Sequence, residues 1–181
     1  MRSLAGLLAV GVVAAALFVI TSGASAASVG RSVSARVDPT LARDLNTAIN
    51  EARSTHKLRR LAVSSELTRA ARQHALAMGR LGFFSHSSAD GSSSGTRITS
   101  FYGVSGSRSW AVGEVLLWGK RGLSARRVLA SWLSSTPHRS EVLNRRWREI
   151  GVAALEVDNA PGVYGGRDVT LVVVDFGARG R

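Results

Sequence analysis

The order of elements, helices first and strands last, predicts an α+β domain in which helices cover an antiparallel sheet. Two observations carry this. Amphipathic helical spacing occupies the first half of the chain and returns over Ser124 to Ser135. Two β-branched runs, Ile150 to Val157 and Val169 to Phe176, then flank the turn-forming Asp158-Asn159-Ala160-Pro161-Gly162 and predict an antiparallel hairpin. There is no regular βαβ alternation and no internal repeat.

The N-terminus reads as a targeting segment. Arg2 precedes an uncharged apolar run, Leu4 to Ile20, and Ala24-Ser25-Ala26 has the small-x-small form of a signal-peptidase site. A secretory signal over residues 1–26 is expected, with an uncleaved membrane anchor as the alternative because the run approaches spanning length. Both place the remainder outside the cytoplasm. Residues 27–37 are small, polar and basic, which predicts a flexible leader, and the domain is expected over 38–179.

Asp38 caps the first helix, with Pro39 at its first position and Leu41, Leu45, Ile49 and Ala52 on one face. That helix is expected to end near His56. Ser64 or Ser65 opens a second helix, in which Leu67, Ala70, Ala71, His74, Ala75 and Met78 share a face and Gly79 or Gly82 stops the run. Ser87 to Gly95 is a Ser/Gly-rich loop, and Thr96 to Tyr102 predicts a short helix. Val115-Leu116-Leu117 fits a strand or a helix start equally well. After Ser135, Thr136-Pro137 begins a further short helix, His138 to Asn144.

The chain has 24 Lys+Arg against 12 Asp+Glu and no cysteine. A fold outside the cytoplasm without disulfides depends on its hydrophobic core, and thiol catalysis and cysteine-built zinc sites are excluded. The basic balance points to anionic lipid head groups and envelope polymers as partners ahead of nucleic acid, or to a solvated Arg-rich surface.

His86, Glu114 and His138 are polar residues in apolar surroundings, each at an element boundary, where a scaffold presents functional side chains. Two imidazoles and one carboxylate are the ligand types of an open divalent-metal site, although their spacing matches no local metal motif. Each also has an ordinary reading: His86 bonded to its own loop, Glu114 to backbone N–H groups, His138 beside a helix cap. His74 reads as a satisfied core histidine, His56 as solvated, and Asp175 as bonded to a neighbouring loop. The four tryptophans read as core and groove lining. Neither a G-x-S-x-G elbow nor a phosphate-binding loop is present.

In order along the chain stand LNTAINEAR, LAVSSELTRAARQHALAM, FFSHSS with ADG, VGEVLLWG, SWLSSTPHRSEVL, IGVAAL and VTLVVVDFGAR. This ordered set resembles the CAP superfamily, also called SCP or PR-1-like, in its bacterial secreted form. The resemblance implies an α-β-α sandwich and a cleft lined by two histidines and acidic residues, which binds zinc or another divalent cation in some relatives. The family's histidines match His86 and His138, and its Gly-Glu pair matches Gly113-Glu114. Its further glutamate falls at Ser135, so the tetrad is incomplete here. Glu141, one turn after His138, either compensates or orients a neighbouring side chain. The resemblance thus implies a secreted, non-enzymatic binding module for an extracellular lipid or cell-envelope polymer, with a divalent cation at His86 and His138. The rival expectation is a metal-dependent extracellular hydrolase or peptidase with Glu114 as base.

Overall fold

The computed structural model describes residues 32–180. The expected signal over 1–26 and the first part of the leader lie outside the described residues. Residues 34–37 belong to the fold: strand β1 (Ser34–Val37) pairs antiparallel with β4 (Glu149–Ala160), so the boundary expected at Asp38 falls too late. A short edge strand of mostly exposed, small and basic residues buries too little to leave a period-2 pattern.

Helix α1 (Pro39–Thr55) starts as its sequence dictates: the Asp38 carboxylate accepts the N–H of Leu41 at 2.9 Å, and Leu41, Leu45 and Ile49 are buried. A two-residue strand β2 (Ala62–Val63) adds to β4 in parallel. Ser64 then caps α2 (Ser65–Leu81), which Gly82 closes in the left-handed conformation at φ 75°. Helix α3 (Ser94–Phe101) begins two residues before the expected start. The ambiguous apolar run is a strand, β3 (Ser109–Lys120), followed by α4 (Ala125–Ser134) and α5 (Thr136–Val142). The final hairpin, β4 and β5 (Arg167–Gly180), is longer than its β-branched centres.

The principal strand order is β1-β4-β5-β3, antiparallel throughout, with β2 attached to β4. Its two faces bury separate cores. Leu41, Leu45 and Ile49 of α1, Trp132 of α4 and Val142 of α5 meet Val115, Ile150, Val172, Val174 and Phe176 on one face. Ala71, Ala75 and Met78 of α2 meet Leu116, Leu155, Leu171 and Val173 on the other, and α3 packs beside α2 through Ile98 against Leu67. The architecture is the expected α-β-α sandwich. Gly151 sets the height of one layer, because a Cβ there would overlap the backbone of Leu67 and Thr68; α2 therefore rides directly on β4.

Candidate functional site

The alternation of β3 puts Gly113 on the face of α5 and Glu114 on the face of α2 and α3. Glu114 is buried, and both of its oxygens are occupied. Oε1 accepts the Nδ1–H of His86 at 2.8 Å, and Oε2 accepts Nη2 of Arg97 from α3. Arg97 also ties down the loop that carries His86: its Nη1 donates to the His86 carbonyl at 3.0 Å and to the Ser88 hydroxyl at 3.1 Å. The carboxylate bond raises the His86 imidazole above its ordinary value against the opposing effect of partial burial. Its side chain is 55% exposed, so one edge of the ring faces solvent.

Two further groups stand behind this pair. His74, fully buried on α2, donates Nε2–H to the Ser85 carbonyl at 2.8 Å and lies 4.0 Å from Glu114 Oε2. Its Nδ1 has no partner and burial lowers its basicity, so the expected satisfied histidine is half satisfied and belongs to the site. Asp175 is opposite Glu114 in the β3–β5 ladder and wholly buried. Neither Asp175 oxygen has a hydrogen-bond partner, which corrects the expectation that it bonds a loop. Burial first, and the neighbouring Glu114 charge second, push the Asp175 carboxyl well above the usual carboxylate range.

On the opposite side of β3, Glu141 of α5 fills the space beside Gly113, where a Cβ would overlap its carboxylate and the Trp147 ring. Glu141 is half-buried, and while its carbonyl accepts the Trp147 indole N–H at 2.8 Å, its carboxylate has no hydrogen-bond or ion-pair partner among the described residues. Desolvation raises its carboxyl, partly offset by the charge of His86. His138 lies one turn earlier on the same helix. Its Nδ1 meets the Ser135 hydroxyl at 2.9 Å, and that hydroxyl makes no helix-capping bond.

The structure thus joins His86 to Glu114, brings Glu141 within electrostatic reach of His86, and pairs His138 with Ser135. No hydrogen bond or ion pair among the described residues links His138 to the other three. Nor do three His, Cys, Asp or Glu side chains converge as metal ligands there. On the two family-matched histidines the nitrogens left over are the Nε2 atoms of His86 and His138, each on a ring whose Nδ1 is already held. Two imidazole nitrogens without a third ligand beside them do not make a three-ligand catalytic centre among the described residues.

Sequence reasoning missed Arg97, whose place on a short polar helix gave no sign of burial. Asp175 carried a signal, a lone acid inside the apolar run LVVVDFG. The tryptophans divide: Trp132 and Trp147 are core, Trp118 packs edge-on against Tyr164, and Trp110 is 49% exposed.

Residues 47–176 match the family model described as CAP, cysteine-rich secretory protein family. No curated protein matches the sequence. Among solved structures, an outer surface protein of Borrelia burgdorferi is similar at TM-score 0.65 and 23% identity, covering 81% of this chain and 99% of that one. An extracellular SCP-domain protein of Bacillus anthracis gives TM-score 0.57 and 24% identity over 75% of this chain and 39% of its own. A cysteine-rich secretory protein of Staphylococcus aureus gives 0.52 and 20%, over 77% of this chain and 38% of its own. The chain therefore spans about two fifths of the last two.

Proposed function

The chain belongs to the CAP, cysteine-rich secretory protein family, and from that premise we propose that it is an extracellular, non-enzymatic binding module. Its ligand is a lipid or cell-envelope component held at the cleft around His86, Glu114 and His138. One observation carries this reading: Glu114 has both oxygens engaged, by a buried guanidinium and by His86. A carboxylate buried and paired in this way is poorly placed to take a proton from a substrate-bound water, and Ser135 stands where a second carboxylate would be needed. Glu114 is then a positioning residue that orients the His86 ring and leaves its Nε2 outward. A divalent cation, when bound at His86 and His138, supplies positive charge for an anionic group of the ligand. Among the described residues no helix is long and apolar enough to cross a membrane.

The test is a binding screen of the purified chain against lipid vesicles and envelope extracts, with and without zinc. Binding that His86→Ala or His138→Ala reduces at least about tenfold supports the reading. No binding in either condition, or binding that ignores both variants, overturns it.

A second reading, a metal-dependent hydrolase of peptides or wall material, has one observation in its favour. Glu141 is a desolvated carboxyl without a side-chain partner among the described residues, near an imidazole whose basicity Glu114 raises. Turnover lost in Glu141→Gln and kept in Glu114→Gln would establish it; absence of turnover on both substrate classes with zinc present removes it.

A further inference from the structure

At the end of the sheet where β3 begins and β5 finishes, two concavities lie side by side and share Arg148. One, about 240 Å³, is lined by Ser109, Trp110, Arg146, Arg148 and Arg179. The other, about 180 Å³, is lined by Lys57, Arg59, Arg145 and Arg148. Of these six cations only Arg179 is in an ion pair, with Glu66 and Glu149. Lys57, Arg59, Arg145, Arg146 and Arg148 are exposed and meet no carboxylate among the described residues.

The cations are brought together by design of the fold rather than scattered. Arg53, fully buried at the end of α1, donates Nε–H to the Arg59 carbonyl at 3.0 Å and Nη1 to the carbonyls of Val142 and Asn144 at 2.8 and 3.0 Å. It therefore locks the loop after α1 to the turn after α5. Arg148 Nη1 in turn holds the carbonyls of Arg145, Arg146 and Trp147. Arg148 lies close enough to Arg53 that the two charges oppose each other, and Arg53 Nη2 is buried without a partner. Packing like charges together costs stability, and the carboxylates nearby, Glu66 and Glu149, pair with Arg179 and leave the other five cations without one among the described residues.

We propose that this trough binds a linear, phosphate-bearing polyanion of the cell envelope, independently of the His86 cleft. Guanidinium forks match phosphate oxygens in pairs, and two cation-lined concavities that share Arg148 can meet more than one phosphate of a chain. The half-exposed ring of Trp110 supplies an apolar wall for the carbon units between phosphates.

The test measures binding of the purified chain to long-chain inorganic polyphosphate, to poly(glycerol phosphate) and to phosphatidylglycerol vesicles as salt is raised. Arg145→Glu with Arg146→Glu leaves the backbone locks in place and is expected to weaken polymer binding at least about tenfold and flatten its salt dependence. Arg126→Glu with Arg127→Glu, an equal charge change at the exposed start of α4, should stay within about twofold. His86→Ala should leave polymer binding unchanged, so failure of the cleft reading would not carry this one with it. Equal losses in the two arginine pairs would mean diffuse attraction to net charge and overturn the proposal. So would vesicles binding more tightly than either polymer, or no polymer binding at all.

Discussion

Two adjacent residues of β3 face opposite layers and end in opposite situations. Glu114 points into the α2–α3 layer and is held by Arg97 and His86, with His74 and Asp175 packed behind it. Gly113 opens the α5 layer, and the carboxylate in its space, Glu141, has no partner among the described residues. One acid is fixed and spent on structure, whereas the other is desolvated and available. A buried charge is tolerated only with its partner in place, so the α2–α3 side is the brittle one.

The largest effect should therefore come from Glu114→Ala. It strands Arg97 as an unpaired buried cation and is expected to cost about 3–5 kcal/mol in chemical denaturation. Glu141→Ala, which strands nothing, should stay below about 1 kcal/mol. Equal costs would erase the distinction between the two sides. Next, Gly151→Ala forces α2 off β4, because the new methyl meets backbone that no rotamer change can move. A loss of about 3 kcal/mol in the same assay is expected. Gly113→Ala should cost less, since part of its clash is with the movable end of Glu141.

Asp175→Asn tests the buried acid behind Glu114. A carboxyl whose folded value is raised contributes stability below its unfolded value and loses it as pH rises through the folded one. The Asn variant should therefore gain on the wild type from about pH 4 upward, near the unfolded carboxylate value, and show no gain in stronger acid. A pH-stability profile that leaves the two parallel would mean that Asp175 is not a cost to the fold.

The smallest effect is at the two histidines, which move in opposite directions. Imidazole NMR should place His86 above and His74 below the ordinary 6.5. The His86 contribution to stability is complete below 6.5 and is lost as pH rises through its raised value; that of His74 is complete above 6.5 and is lost as pH falls. Because His86 is half exposed, its share is small. Glu141→Gln should lower the His86 midpoint and leave His74 in place; movement of both would show that the Glu141 charge reaches past His86 to the buried His74.

Much of this was legible in the chain. Helical periods fixed α1, α2 and α4, because each buries one stripe, and the β-branched runs marked the centre of the hairpin. The ordered resemblance placed His86, Glu114 and His138 in one family framework with Ser135 as its gap. Short or two-sided elements were not legible: β1 buries almost nothing, and β3 serves a different layer with each alternate residue, so neither leaves a single-period pattern.

The sequence by itself determined the fold class, because the apolar period is local and survives any arrangement of neighbours. It also determined the cysteine-free chemistry and the surplus of arginine. Only the tertiary structure decided that Arg97 neutralises Glu114, that Asp175 shares its burial, that His138 turns to Ser135, and that Arg53 ties together the two loops whose cations line adjoining concavities. Those outcomes depend on residues distant in the chain meeting at short range, and charge interactions are set by separation and burial, which sequence spacing does not contain.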